Sequence, residues 1–361
     1  MKKQLQIFFD FLRFCIGSDS EIPSSLKDAD WKELYAIAKK QCLVGVLFDG
    51  IKKLPAEQVG MKKGLLLQWV AESQMLEKAN VRLNDAAIHV SEWFLKKGFR
   101  TCILKGQGNA LMYPNPFSRT PGDIDIWVEG GDKLVISFVR SISPHEKACY
   151  HHIEFPSYKG VEVEVHYRPS FLLCFWHNRK LQEYYESVKE EQFSHRVMLG
   201  KQGEIAIPTV EFNLIFQLTH IYAHLMNEGI GLRQLLDYYD VLISDDLSLI
   251  RDRVQKELKE LGLWKFAGGI MYIMQEVFGM PASRLIVPPN EKCGKFVLNE
   301  VLEAGNFGKH DERNRFGKSN LGHNLQRVYR DIRLVRYFPA EAMSEPIFRV
   351  WHFFWRLKHR R

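Results

Sequence analysis

The sequence predicts an α+β protein in which a small mixed β-sheet lies between helical regions. Three observations carry this expectation. Apolar residues recur at helical spacing through the first 97 residues. Two short stretches, 123–128 and 161–167, alternate polar and apolar residues as a two-faced strand must. Helical spacing then returns after Pro169.

Four regions follow in order. In the first, 1–97, Ile7, Phe8, Phe11, Leu12 and Cys15 share a helical face, and Asp28 and Asp30 are candidate caps for a helix carrying Leu34, Ile37 and Ala38. A long periodic segment from about 62 to 97 holds Leu66, Trp69, Val70, Leu76, Ile88 and Phe94, with Gly98 behind it as a terminating glycine. The second region, 98–170, is a small α/β core. Its first strand, Phe99-Arg-Thr-Cys-Ile-Leu, runs into Lys105-Gly106, and its second begins at Asp123 and stops at Gly130-Gly131. A helix fits 133–142, and the last strand stops before Pro169. The third region, 171–290, is helical. Thr209 is a candidate cap for a helix through Leu214, Leu218 and Leu225, and further helices fit about 232–243, 247–261 and 264–278. The fourth, 291–361, reads as a mobile loop at 305–322 followed by a basic helical end.

Composition narrows the function classes. With 361 residues, 46% of them hydrophobic, the chain can bury a sizeable core. The net charge of +7 is unevenly spread: 309–361 holds 13 Lys/Arg against 5 Asp/Glu, so the rest is nearly neutral. That argues against a surface made throughout for nucleic acid. Six scattered cysteines form no Cys-x-x-Cys pair, which removes a zinc knuckle or redox dithiol. No run of 18 apolar residues and no clean signal-peptide core occur, so a cytoplasmic protein without a transmembrane segment is expected.

The candidate chemistry sits in the second region. Asp123 and Asp125, two apart on a strand, project from one face while Ile124 and Ile126 take the other. Such a pair is self-repelling unless a cation lies between the carboxylates, and a hard divalent ion meets that need. A solvated strand face is the bland alternative. Glu162, Glu164 and His166 likewise share a face opposite Val161, Val163 and Val165. If the two strands adjoin, a glutamate joins the aspartates. Lys105-Gly106 ends a strand ahead of a short helix at 109–112, a place where backbone amides and a lysine can meet phosphate, although a plain turn explains it too. Arg119, four residues before Asp123, is a candidate phosphate contact.

As a set, Leu104-Lys105-Gly106, Arg119, Asp123-Ile-Asp125, His151-His152 and Glu164-Val-His166-Tyr167 resemble the nucleotidyltransferases related to DNA polymerase β. The resemblance is narrower still to the bacterial family labelled uncharacterised nucleotidyltransferase. It extends over about 98–245, with the His220-x3-His224 and Leu235-Leu-Asp237 helices included. It implies Mg²⁺-dependent transfer of an NMP group from an NTP such as ATP to an acceptor hydroxyl. Asp123, Asp125 and Glu164 would be the catalytic, metal-holding carboxylates. Lys105, Gly106 and Arg119 would neutralise the triphosphate, and His166 would touch substrate or orient Glu164. The chain departs from the superfamily by having Lys105-Gly106 for Gly-Ser and Glu164 where Asp is common. A catalytically inactive nucleotide- or metal-binding relative and a toxin-like tRNA-modifying transferase are the alternatives. The acceptor, whether small molecule, protein or RNA, is not readable. The transferase reading requires Glu164 beside the aspartates and no basic side chain filling the gap between them.

Other residues have plainer expectations. His220 and His224 fit a cleft-lining role better than a metal site; Arg233 and Asp237 fit an i,i+4 ion pair. His151 and His152 would face opposite ways in an extended chain, so only one should reach the site. The aromatic, basic run 348–361 fits a terminal helix that packs Phe348, Trp351 and Trp355 with its charges in water. Nucleic acid or a membrane surface is the alternative partner for it.

Overall fold

The computed structural model describes all residues except 1, 202, 310, 312, 314–319, 360 and 361. The N-terminal region supplies α1 (Lys2–Ile16), α2 (Trp31–Lys40), α3 (Val44–Ile51) and α4 (Lys63–Lys96). Asp30, not Asp28, caps α2, accepting from the amides of Lys32 and Glu33; Asp28 instead pairs with Lys3 at 3.0 Å. Helix α4 has 34 residues, about 50 Å at 1.5 Å per residue. It ends at Gly98, whose φ of +88° only glycine takes readily.

The sheet contains β1 (Thr101–Ile103), β2 (Ile124–Val128), β3 (His152–Tyr158) and β4 (Val161–His166) in the order β1-β2-β4-β3. Strands β2 and β4 are parallel neighbours; β1 and β3 run antiparallel outside them. Helices α5 (Gln107–Ala110) and α6 (Gly131–Ile142) lie within this region. The alternation read in the sequence sorts the two faces. Ile124, Ile126, Val128, Val161, Val163 and Val165 join one core with Leu83, Ala87 and Phe94 of α4 and Val135 and Val139 of α6. Trp127 points the other way, 4.7 Å from Phe193 and 5.9 Å from Phe212 between ring centroids.

Those two phenylalanines come from α7 (Phe175–Ser194) and α8 (Val210–Asn227), which are separated by the hairpin β5 (Arg196–Leu199) and β6 (Gly203–Ala206). Thr209 caps α8 through the Phe212 amide. Helices α9 (Leu232–Ile243), α10 (Arg251–Glu260), α11 (Trp264–Glu276) and α12 (Glu291–Ala304) complete the large helical core, where α9 is buried from Leu232 to Leu242. Then come α13 (Asn320–Leu334) and α14 (Pro339–Lys358). The loop expected at 305–322 falls partly outside the described residues; its described part includes a 3₁₀ turn, Asn306–Gly308, and the start of α13.

Helix α14 adds to one expectation. Phe348 is buried, stacked on Phe171 at 5.1 Å, and Trp351 meets Tyr150 at 5.3 Å, so the aromatic side packs inward as expected. Arg356 and Lys358 stand in water as expected, but apolar side chains share that outer side with them. Met343, Ile347, Val350 and Phe354 are each 60% or more exposed, while Arg349 is tied to Glu345 on the inner side. The inner positions 345, 348, 349 and 352 line a cleft, which is why polar groups turn inward.

Candidate active site

The parallel register sets Asp125 directly beside Glu164. Asp123 lies one residue before β2, on the same face. One oxygen from each of Asp123, Asp125 and Glu164 lies within 4.8 Å of the others. The three carboxylates therefore converge from two strands, at the wall of a cleft of about 740 Å³ that His151, His152, His166, His220 and His224 also line.

Basic groups answer this charge. Lys105, just past β1, is carried to the face by the Leu104 amide, which donates to the Asp125 carbonyl at 2.9 Å and extends the ladder. Its Nζ donates to Asp125 Oδ1 at 2.9 Å and to His220 Nε2 at 3.1 Å. Gly106 follows with φ +59°, letting the chain turn into α5. His166 Nε2 lies 3.0 Å from Asp125 Oδ1 and 3.5 Å from Glu164 Oε2, with Nδ1 3.3 Å from the Arg168 carbonyl. His152 Nδ1 is 3.3 Å from Glu164 Oε2. Of the two conditions set by the sequence, the first holds. The second holds in part: Lys105 occupies one edge of Asp125, yet the three carboxylates still meet.

The electrostatics follow from these contacts. The Asp125 charge, then burial, raises the Asp123 carboxyl above its ordinary value. Burial would raise Asp125 too, but Lys105 and His166 overrule it and hold the carboxyl well below the usual range. For His166 burial opposes the charged form, yet its bonds to Asp125 and Glu164 prevail and lift it to about 9. Burial pushes His152 down to about 4, and His220 and His151 well below the ordinary histidine value. A neutral His220 is what an acceptor for the Lys105 ammonium must be.

Arg119 is set apart from the open cleft. Its Nε and Nη2 form a two-pronged bond, both 2.8 Å, with Asp237 of α9, and both residues are buried. Two of the three guanidinium nitrogens of the expected phosphate contact are therefore already engaged by a carboxylate. Its Nη1 is buried with no hydrogen-bond partner among the described residues. It borders a cavity of about 40 Å³ behind Asp123 and Asp125, with Lys105 and Gly106 also at its wall. Tyr113 donates to Asp237 Oδ1 at 2.7 Å. Asp237 makes its fork with Arg119 from another region while the Arg233 charge, one turn back on its own helix, also bears on it; Arg233 Nη1 donates to the Thr120 carbonyl at 2.9 Å.

Two further findings concern residues the sequence misread or missed. His151 and His152 both reach the site, with Nε2 and Nδ1 3.0 Å apart, because the chain bends at His151 before β3 begins. Asn80 of α4 donates to the Phe117 carbonyl at 3.0 Å and to the Arg119 carbonyl at 2.8 Å, fixing the approach to Asp123. A polar residue one turn from Leu76 and Leu83, on the side of α4 that turns inward, was its only signal.

Residues 27–279 match the sequence model of the family described as uncharacterised nucleotidyltransferase. The chain belongs to that family. The chain is also similar to the crystal structure of an antigenic nucleotidyltransferase-like protein from Paracoccidioides brasiliensis, at 12% identity over 58% of this chain and 95% of that one, with a TM-score of 0.32. No curated protein matches the chain. The family match takes in the N-terminal helices from α2 onward, and with them Asn80, as well as the sheet and α8 to α11.

Proposed function

We propose that this nucleotidyltransferase moves an NMP group from an NTP to an acceptor hydroxyl, using divalent metal held by Asp123, Asp125 and Glu164. The observation that carries the reading is the meeting of these three carboxylates, within 4.8 Å, on the wall of a 740 Å³ cleft. The donor set fits the ion: three hard oxygen ligands suit Mg²⁺. Bound Mg²⁺ would supply charge neutralisation for the phosphates and acidify the attacking hydroxyl. The protein's own residues do the rest. Lys105 offers a cation beside the carboxylates to the triphosphate, and the Gly106 backbone turns there without a side chain in the way. Glu164, the most open of the three, accepts the proton of the acceptor hydroxyl. His166 holds Asp125 and Glu164 in one orientation through its single Nε2. The acceptor, a small molecule, protein or RNA, is left to experiment.

The test is incubation with labelled NTPs and cell extract, followed by identification of the labelled species. Label transfer that needs Mg²⁺ and falls at least ~10³-fold in Asp123→Asn is expected, the scale at which loss of a transition-state charge contact is felt. Transfer unchanged in Asp123→Asn overturns the assignment. A second reading rests on Lys105, whose ammonium already balances Asp125 at 2.9 Å: a nucleotide-binding relative that does no chemistry. It requires tight NTP binding with no labelled product under any metal.

A further inference from the structure

Beside the carboxylate triad lies a second group of donors with different chemistry. The antiparallel register of β3 and β4 sets His152 opposite His166, and Glu164 is two residues from His166 on the same face. One donor atom from each of the three lies within 4.8 Å of the others. His152 Nδ1 and His166 Nε2 stand 3.3 and 3.5 Å from the same oxygen, Glu164 Oε2. Such separations suit ligands that share one ion with bonds of about 2.0–2.2 Å.

The surroundings of His166 add an independent observation. Its far nitrogen, Nδ1, faces the Arg168 carbonyl at 3.3 Å, which turns Nε2 toward the carboxylates. A backbone carbonyl on the far nitrogen is the usual outer support of a metal-binding histidine. His152 and His166 both border the cleft, so an ion has a route in.

We propose that His152, His166 and Glu164 form a second cation position that takes a transition-metal dication, with Mn²⁺ as the paramagnetic probe, in preference to Mg²⁺. Two imidazoles and one carboxylate favour such ions, whereas Mg²⁺ favours oxygen donors throughout. Glu164 then belongs to both positions, with Asp123 and Asp125 completing the all-oxygen one. Ligation uses the Nε2 lone pair, so the ion replaces the proton that His166 shares with its carboxylates. The inference deepens the proposed transfer reaction and rests on it for the use of the ion; the donor set is read from the residues alone.

The test loads the full chain with Mn²⁺ in tenfold excess Mg²⁺ and records electron spin-echo envelope modulation. Expected are one retained Mn²⁺ per chain and modulation from directly bound nitrogen. That pattern should change when histidine alone is labelled with ¹⁵N, a control that needs no substitution. His152→Asn should weaken Mn²⁺ binding by ~10–100-fold and remove part of the nitrogen signal. Absence of histidine-nitrogen modulation, or full displacement of Mn²⁺ by Mg²⁺, overturns the inference. NTP turnover with Mg²⁺ alone and no nitrogen signal defeats this position and leaves the transferase intact. A nitrogen signal without turnover under any metal does the reverse.

Discussion

That Asp123 and Asp125 share one face, and Glu162 and Glu164 another, was legible because strand geometry fixes which face an i,i+2 pair takes; the choice of Glu164 came only with the family resemblance. The pairing of Arg119 was not legible, because its partner Asp237 is 118 residues away and sequence spacing carries no information about such a meeting. The pair now makes its own prediction. Asp237→Asn leaves a buried guanidinium without its carboxylate and should lower stability by ~3–5 kcal/mol in chemical denaturation. Replacing both residues with apolar ones of similar volume should recover much of that loss. Equal losses in the single and double variants would mean that the ion pair is not what holds this region.

Asp240, one turn from Asp237, gives a pH prediction at the same scale. Burial, then the Asp237 charge, raises its carboxyl to about 9, and its Oδ2 has no hydrogen-bond partner among the described residues. The folded chain therefore holds a proton that the unfolded chain releases near pH 4. The stability this provides is complete below pH 4 and is lost steadily as pH climbs from about 4 to about 9. Between pH 5 and 8 Asp240→Asn should flatten the stability–pH slope by up to about 1.4 kcal/mol per unit. Parallel curves for variant and parent would contradict the buried proton.

At the scale of elements, three strands of the sheet were readable and the edge strand β3 was not. β3 carries Pro156 within it and so does not look like a strand, yet an edge strand tolerates a missing donor. α7 was missed because its buried positions are sparse, and two of them are Asn178 and Gln192. The long α4 was easy to see, but its role as a strut for the loop before Asp123 was not. Asn80→Ala removes the amide that serves two loop carbonyls and should cost ~1–3 kcal/mol. If the strut matters to the site, metal affinity falls as well; calorimetric titration with Mn²⁺ reads that. Unchanged affinity in a destabilised variant would confine Asn80 to folding.

For the molecule as a whole, the basic C-terminal segment closes one side of the cleft rather than standing apart. Glu345, Phe348, Arg349 and His352 of α14 face the same space as the three carboxylates. His352 Nε2 accepts the Tyr150 amide at 3.1 Å, next to the site histidines. Phe348→Ala should therefore do two things. It should lower stability by ~3–5 kcal/mol, as buried phenylalanine truncations do. It should also raise KM for the NTP more than it lowers kcat, since it disturbs a wall and not the reacting groups. A loss confined to kcat would place Phe348 elsewhere in the reaction.

Lys105 borrows His220 from a helix 115 residues on, and Arg119 borrows Asp237 from the next helix. Cutting the chain after residue 170 to isolate the sheet would keep every acid and lose both of these counterparts. Trp127 would also be stripped of the rings that cover it. Anyone trimming this protein for crystallisation or engineering should expect the minimal active piece to reach at least through α9, however self-contained the strands look on paper.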